Sequence, residues 1–298
     1  MTRPPSPRNL PLGLTIIHED RDILVVNKPA GLLTISTEAE KERTAYFVAT
    51  DYVRKGAAKS KLRVFIVHRL DRDTSGVLVF AKSEEAKRFL QEHWEATGKE
   101  YLAIVHGHCA DRSGKIESYL VESSALKVYS TKDKVKGKPA ATSYRVLKEV
   151  DGFSLLAVTP HTGRKNQIRV HLADLGHPII GDKKYGVPKD GHKKLALHAA
   201  RLSFTHPFRK EPCTFSAPPP GWFQRVVGKI GAEWYQEQPP APAGAATVPD
   251  TVQMATVPPG AERTERKPLA KVRPTGRQKS PGKYRPTSQP ARRRKSHD

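Results

Sequence analysis

The 298-residue chain is strongly basic: 52 Lys and Arg residues stand against 30 Asp and Glu residues, a formal net charge of +22. Such a charge favours a polyanionic partner, most commonly nucleic acid. Only 37% of the residues are hydrophobic, which is low for a compact globule of this length. No stretch approaches the length of a membrane-spanning helix. The composition therefore argues against a membrane protein.

Much of the excess charge lies near the C-terminus. From Pro239 onward the chain is rich in Pro, Ala, Thr, Lys and Arg, and it carries 13 Lys and Arg residues against 4 Asp and Glu residues. Such a segment cannot bury enough apolar surface to offset its chain entropy. We predict a flexible N-terminal segment over 1–13, one folded domain over 14–235 and a disordered basic tail over 239–298. A merely solubilising extension is the alternative interpretation of the tail.

The chain has two cysteines, Cys109 and Cys213, without paired spacing. This usage suits a reducing compartment and argues against a disulfide framework. The N-terminal residues also lack the apolar core of a signal peptide. The sequence therefore predicts a cytoplasmic protein.

Strands and helices alternate along the predicted domain. Apolar runs predict strands at 14–17, 23–26, 64–67, 77–80, 99–105, 144–150, 153–159 and 195–204. Amphipathic patterns predict one helix over 83–97, capped by Ser83, and another over 167–175. Asp151-Gly152 lies between two strands as a strong hairpin signal. The pattern predicts a mixed α+β fold in which antiparallel pairing dominates.

The most informative segment is 67–76, which reads Val-His-Arg-Leu-Asp-Arg-Asp-Thr-Ser-Gly between two apolar runs. Its central carboxylate, Asp71, is expected at the end of one buried strand and close to the start of the next. There a neighbouring guanidinium can hold it ionised as a nucleophile or a base. A surface turn with a satisfied ion pair is the alternative interpretation.

A second polar cluster lies over 161–186. Arg164, Lys165 and Arg169 fall within six residues, around the start of the helix predicted over 167–175. A cationic helix start favours a phosphate or a carboxylate, although an ordinary solvated basic face gives the same pattern. His106, His108 and Cys109 look superficially like metal ligands but lack a partner cluster, so we predict no metal site.

Several short motifs occur in one order along the chain. They occupy 68–71 with 74–76, 99–103, 162–164 with 167–171, and 197–199, and the Asn-Lys-Pro-Ala-Gly element at 27–31 precedes them. In this order and spacing, from about Leu14 to Ile230, the chain resembles the RluA-type family of RNA pseudouridine synthases. The first motif is highly specific for that family, and the others are less specific individually.

The resemblance implies a mixed, largely antiparallel sheet with a central catalytic cleft, in which uridine of RNA is isomerised to pseudouridine without cofactor or metal. Asp71 would be the nucleophile and Arg169 its ion-pair partner. Tyr101 would pack on the target base and accept a proton late in the reaction. Arg69 would fill the gap that the flipped uridine leaves. Further RNA contacts are assigned to His68, Thr74, Arg164, Lys165 and Gln167.

Ribosomal RNA is the expected substrate, and transfer RNA is the alternative. An RNA-binding or assembly factor that has lost catalysis on the same fold is a second hypothesis, but the intact Asp71, Tyr101 and Arg169 argue against it. An aspartate-based hydrolase would need a metal or a second catalytic carboxylate, and neither is evident. No obligate protein partner is expected.

The sequence departs from the family pattern at two places. Asn166 stands where a histidine commonly precedes Gln-Ile-Arg, so we expect altered local contacts without loss of chemistry. Only about a dozen residues precede Leu14, too few for the small N-terminal RNA-binding domain that many relatives carry. We hypothesise that the basic tail partly replaces this domain by sequence-independent affinity for phosphates.

Truncation after Gln238 tests the role of the tail. We expect weaker RNA binding and a smaller slope of log affinity against log salt concentration, because fewer counterions are released when fewer cations bind phosphates. Filter binding of RNA over a salt series measures both quantities. Equal affinity and equal slope for the truncated and full chains would contradict the hypothesis.

Overall fold

The computed structural model describes residues 8–36, 40–57 and 59–231. The tail predicted over 239–298 lies outside these residues. The described residues form twelve strands and four α-helices. The strands are β1 (Arg8–Asn9), β2 (Thr15–Glu19), β3 (Ile23–Lys28), β4 (Phe65–Ile66), β5 (Ser75–Ala81), β6 (Gly98–His106), β7 (Ser113–Glu122), β8 (Val128–Thr131), β9 (Lys138–Val150), β10 (Phe153–Pro160), β11 (Leu197–Thr205) and β12 (Pro212–Ser216). The helices are α1 (Ala45–Arg54), α2 (Glu84–Glu92), α3 (Gln167–Asp174) and α4 (Gly221–Val227). Among the described helices, none has the length and apolar character needed to cross a membrane.

All strands belong to one sheet with the order β1-β2-β3-β5-β11-β6-β10-β9-β7-β8. In addition, β4 pairs with β5 and β12 pairs with β11. Within the described residues, the pairing of β5 with β11 is parallel and every other strand pairing is antiparallel. The predicted mixed, largely antiparallel α+β fold is thus confirmed.

The structure agrees with several local predictions. Asp151 and Gly152, with φ of 37° and 79°, form the turn between β9 and β10. Positive φ at both central residues matches the right-handed strand twist of a two-residue hairpin. α3 begins at Gln167, as predicted, and ends one residue before the predicted end.

The end of α2 and the start of the sheet differ from the predictions. Ser83 caps α2 by accepting a hydrogen bond from the Ala86 N–H (3.1 Å), but the helix ends at Glu92 instead of residue 97. Trp94 leaves the helix path and stacks on His68, with 4.4 Å between the ring centroids, so tertiary packing overrides the local pattern. The sheet also starts at Arg8, within the predicted flexible segment, because Arg8–Asn9 pairs with β2.

Both faces of the central strands are covered. Leu78 and Phe80 of β5 pack in one apolar cluster with α1, whereas Val77 and Val79 pack in another with α2. Because successive side chains of a strand point to opposite faces, α1 and α2 lie on opposite faces of the sheet. This explains why β5 is buried along its whole length.

Gly76 allows the parallel junction between β5 and β11. It pairs with Ala199 and has a φ of +117°. A Cβ atom added there would lie 2.1 Å from the Ala199 carbonyl oxygen. The junction therefore needs a residue without a side chain at the last position of the 67–76 motif.

Substitution Gly76→Ala should lower the free energy of unfolding by at least about 2 kcal/mol, because strain at positive φ adds to a backbone clash. Gly152→Ala is the matched control, since Gly152 also has positive φ but has nothing within 4 Å of an added Cβ atom. Urea unfolding of both variants measures the difference. Equal losses at the two positions would contradict the importance of the close approach.

Candidate active site

One cleft, with a volume of about 570 Å³, contains every predicted site residue. It lies between the loop before β5, strand β6 and the segment that leads into α3. The volume is within the usual range for ligand sites in proteins. The predicted residues along its lining are His68, Arg69, Asp71, Thr74, Tyr101, Arg164, Lys165, Gln167 and Arg169.

Arg169 lies between two carboxylates. Its Nε and Nη2 atoms donate to Oδ2 and Oδ1 of Asp182, both at 2.8 Å, in a bidentate pair. Its Nη1 atom lies 3.4 Å from Oδ2 of Asp71. The Asp182 side chain is only 1% exposed, whereas that of Asp71 is 27% exposed. Asp182 therefore fixes the arginine, and Asp71 contacts it loosely at the cleft surface.

The buried pair is electrostatically balanced. Burial tends to raise the pKa of Asp182, but hydrogen bonds and charge from Arg169, with backbone N–H groups, lower it overall. Burial tends to lower the pKa of Arg169, but Asp182, and then Asp71, raise it overall. Both partners are thus held in their charged forms, as expected for a buried pair that is fully hydrogen-bonded.

Asn166 and Tyr185 complete the surroundings of Arg169. Asn166 precedes α3 with a φ of 54°, a left-handed conformation that Asn tolerates well. Its Oδ1 atom accepts from Arg169 Nη1 (3.2 Å), and its Nδ2 atom donates to the Tyr185 hydroxyl (3.1 Å). The Arg169 guanidinium lies 5.2 Å from the Tyr185 ring centroid. Asn166 therefore links the arginine to the tyrosine. This is the local contact that we expected to be altered, because Asn166 stands where the family commonly has a histidine.

Tyr101 projects from the middle of the sheet into the cleft. It lies on β6, between β10 and β11, and it packs against two apolar clusters of the core. Burial, and to a lesser extent the charge of Asp71, raises the pKa of Tyr101. The phenol is therefore neutral at physiological pH, with an apolar ring available for stacking.

The backbone on both sides of Asp71 is clamped by the segment after β3. Thr34 Oγ1 donates to the Leu70 carbonyl oxygen (2.8 Å) and accepts from the Leu70 N–H (3.1 Å). The Gly31 N–H donates to the Arg72 carbonyl oxygen (2.9 Å). Hydrogen bonds within the protein thus hold the backbone of the residues before and after Asp71.

Lys28 adds a buried charge to this clamp. Its Nζ atom donates to three backbone carbonyl oxygens, one of them that of Arg72 (3.0 Å), which uses all three protons of an ammonium group. Burial lowers the pKa of Lys28 to about 7, and the charges of Asp73 and Asp71 oppose that shift. The Asn-Lys-Pro-Ala-Gly element thus supports the loop that carries Asp71.

Three predicted RNA-contacting residues are already bonded within the protein. Thr74 is buried, with its N–H directed to the Asp71 carbonyl oxygen. His68 Nε2 accepts from the Val79 N–H (3.1 Å), and burial lowers the pKa of His68 to about 3, so the ring is neutral. Gln167 is buried, and its amide makes four hydrogen bonds inside the protein. These contacts favour positioning of the cleft walls over direct contact with RNA.

The cationic candidates differ from these three because they are exposed. Arg69 is exposed at the cleft, and no hydrogen bond or ion pair of its side chain is found among the described residues. Arg164 is also exposed, with Nε donating to a backbone carbonyl. Lys165 forms an exposed ion pair with Glu122, a type of contact that is usually weak. All three can therefore turn towards a phosphate.

The possible metal ligands take other roles. His106 Nε2 lies 3.5 Å from an oxygen of Asp190, and Cys109 is buried. Within the described residues, Asp20, Asp22 and His206 come close enough to share an ion. However, Asp20 already lies within hydrogen-bond distance of the His206 ring and of two backbone N–H groups.

Sequence reasoning missed Asp182 and Tyr185 as site residues. Both lie within the polar cluster at 161–186, but neither forms a local pattern with Arg169, since 13 residues separate the arginine from Asp182. A usable signal was the Gly181-Asp182 pair, which follows a short apolar run. Such a pair favours a turn, and a turn there can place a carboxylate next to the preceding helix.

The comparisons with known proteins identify the family of this chain. Residues 22–174 match the family described as RNA pseudouridylate synthase. Ribosomal large subunit pseudouridine synthase D of Borreliella burgdorferi is 38% identical over 203 residues, which are 66% of this chain and 62% of that protein. The chain thus spans less than two thirds of that relative. tRNA pseudouridine synthase C of Haemophilus ducreyi is 36% identical over 246 residues, which are 74% of this chain and 97% of that protein.

Solved structures share the fold. Human RNA pseudouridylate synthase domain containing 4 is 26% identical, with a TM-score of 0.59 over 70% of this chain and 89% of that chain. Human RNA pseudouridylate synthase domain containing 1 is 27% identical, with a TM-score of 0.58 over 70% of this chain and 84% of that chain. Because the family match extends over half of the chain and the second relative is matched over nearly its whole length, the chain belongs to the RluA-type RNA pseudouridine synthases, a family of isomerases.

Proposed function

We propose that this protein isomerises uridine to pseudouridine in structured RNA, with Asp71 as the nucleophile. The observation that carries the proposal is the asymmetric placement of Arg169, bidentate to Asp182 and singly in contact with Asp71. A carboxylate held in this way keeps a positive charge beside it and still has free lone pairs for attack.

The reaction follows from the groups in the cleft. The Asp71 carboxylate attacks the target nucleoside, and the glycosidic bond between uracil N1 and ribose C1′ breaks. The base then rotates and rejoins C1′ through its C5 carbon, Asp71 is released, and the C5 proton is lost to solvent. A carboxylate suits this task because it is both a nucleophile and a leaving group. The target base has to leave its stack to reach the cleft, and the Tyr101 ring offers a flat apolar surface on which it can pack.

The exposed cations supply binding. Arg69, Arg164 and Lys165 lie at the cleft without strong partners inside the protein, so each is available to a phosphate. A guanidinium can also stack on a base, which supports a role for Arg69 in the space that a flipped uridine vacates. Recognition of RNA by shape, flipped bases and phosphates fits such a cleft.

We infer that ribosomal RNA is the first substrate class to examine, since the Borreliella relative is named for the large ribosomal subunit. Transfer RNA is the alternative, supported by the name of the Haemophilus relative. Mapping of pseudouridine in total RNA, with and without the gene, distinguishes the two. A site that disappears on deletion and returns with the wild-type gene identifies the substrate.

Substitution Asp71→Asn should reduce turnover by at least roughly a thousandfold, because an amide is a poor nucleophile. RNA affinity should stay within about threefold of wild type, since the side chain keeps its shape and the binding cations are untouched. Single-turnover formation of pseudouridine and filter binding measure these effects. The exposed Asp111→Asn is the matched control, and turnover of Asp71→Asn near the wild-type rate would contradict the mechanism.

Substitution Asp182→Asn should lower the single-turnover rate by roughly ten- to a hundredfold, because Arg169 loses its anchor and moves relative to Asp71. It should also cost about 3 kcal/mol of stability, since it breaks a buried ion pair. The pKa of Asp182 is lowered in the folded state. The difference in unfolding free energy between the wild type and Asp182→Asn should therefore have its full value above the normal Asp pKa of about 4. It should shrink as the pH falls below that value.

Asp190→Asn is the matched control for Asp182→Asn. Its carboxylate is also largely buried and accepts hydrogen bonds from the N–H groups of Gly181 and His192, but it does not line the cleft. We expect this control to lose stability with little change in rate. Equal loss of rate in both variants would show that Asp182 acts only through general stability.

A further inference from the structure

A second cavity, of about 480 Å³, lies behind the catalytic loop. The loop has one side on each cavity: Asp71 and Thr74 line the cleft, whereas Asp73 and Ser75 line the second cavity. The turn that carries Asp182 also contributes to both cavities. Asp182 binds Arg169 at the cleft, and Lys183 lines the second cavity.

The second cavity is lined by several lysines that form no ion pair within the described residues. Lys183, Lys193 and Lys194 line it and are exposed, and no carboxylate pairs with them in the part of the chain that the structure describes. Asp73 is the acidic residue among its lining side chains, so the cavity is net positive. Three lysines around one concave space produce a positive potential that attracts phosphate.

Other lining groups suit a nucleobase. The half-buried indole of Trp222 lines the cavity and is steadied by an edge contact with Phe223, at 4.7 Å between ring centroids. The Asn27 amide and the Asp73 carboxylate also line it, and within the described residues neither side chain has a hydrogen bond. An aromatic ring, an amide and a carboxylate are groups that stack on a base and bond to its edge or to a ribose hydroxyl.

We propose that the second cavity binds a flanking nucleotide of the substrate RNA, within a few nucleotides of the target uridine, with its phosphate on the lysines and its base on Trp222. This proposal rests on the proposed function in that it assumes an RNA substrate. The volume is sufficient for one nucleotide, since it lies within the range of small-ligand sites.

The two cavities lie against the same short loop. Asp71 and Asp73 are two residues apart, so their Cα atoms are separated by at most about 7 Å. One strand of a nucleic-acid duplex advances about 3.4 Å per nucleotide. A uridine flipped into the cleft therefore has neighbours that can reach the far side of the loop within a few nucleotides, and a flanking nucleotide bound there would fix the register of the target.

The test measures RNA affinity in the full chain with Asp71→Asn, so that turnover does not interfere. The probe is a short single-stranded oligouridylate, titrated over a salt series. With Lys193→Gln and Lys194→Gln combined, we expect a roughly tenfold loss of affinity and a decrease of about 1.4 in the salt slope, since two phosphate contacts to a single strand are removed. Lys61→Gln, at an exposed lysine outside both cavities, should change neither.

A second variant separates stacking from charge. Trp222→Leu should weaken binding roughly tenfold with an unchanged salt slope, because stacking does not depend on counterion release. Its thermal unfolding shows whether the helix that carries Trp222 remains folded. In the active enzyme, the lysine variant should raise KM and leave kcat within about twofold, since the lysines do not reach the reacting atoms.

The outcomes distinguish this proposal from the proposed function. Unchanged affinity and slope in the lysine variant would overturn the second cavity as an RNA site, whatever the activity. Binding of uridine monophosphate or inorganic phosphate that depends on the lysines, without any effect of the lysines on oligouridylate binding, would overturn it in favour of a free small ligand. Lysine-dependent RNA binding by a wild-type protein that forms no pseudouridine would support the second cavity and overturn the proposed function.

Discussion

The cleft depends on the ion pair between Arg169 and Asp182. A guanidinium that is largely buried needs a partner for its charge, and the bidentate contact with Asp182 supplies it at 2.8 Å on both nitrogens. Only Nη1 is left to face Asp71 and Asn166. If Asp71 were the bidentate partner, both of its oxygens would be engaged, and the attack that we propose for it would require breaking that pair. The second aspartate thus fixes the arginine and still leaves one of its nitrogens in contact with Asp71.

The loop that carries Asp71 likewise combines a fixed backbone with a less constrained side chain. Hydrogen bonds from Thr34 and Lys28 hold the backbone at Leu70 and Arg72, on either side of Asp71. Among the described residues, the Asp71 side chain has a single hydrogen-bonded ion pair, with Arg169. Preorganising the backbone in this way costs nothing at the moment of reaction, because the clamp is made of interactions internal to the folded protein.

The sequence predicted the parts of the structure that depend on local patterns. The β9–β10 hairpin follows from Asp-Gly, and α3 follows from its apolar spacing; the grouping of Asp71, Tyr101 and Arg169 came from the family resemblance. Strand β7 was missed because it is mostly half-exposed and lacks a continuous apolar run. Asp182 was missed because its partner is fixed by tertiary packing. For the same reason Gln167, which looks like a surface amide in the sequence, is buried with every hydrogen bond satisfied.

The register of three strands explains how distant motifs meet at one site. Ala199 on β11 pairs with Gly76 on β5 and also with Tyr101 on β6, so the glycine and the tyrosine lie level on either side of it. Neighbouring strands are about 4.8 Å apart, which places the two backbones roughly 10 Å from each other. Because only glycine tolerates the approach to the Ala199 carbonyl oxygen, Gly76 sets where β5 begins. It thereby determines the position along the strands at which the preceding loop places Asp71 near the ring of Tyr101.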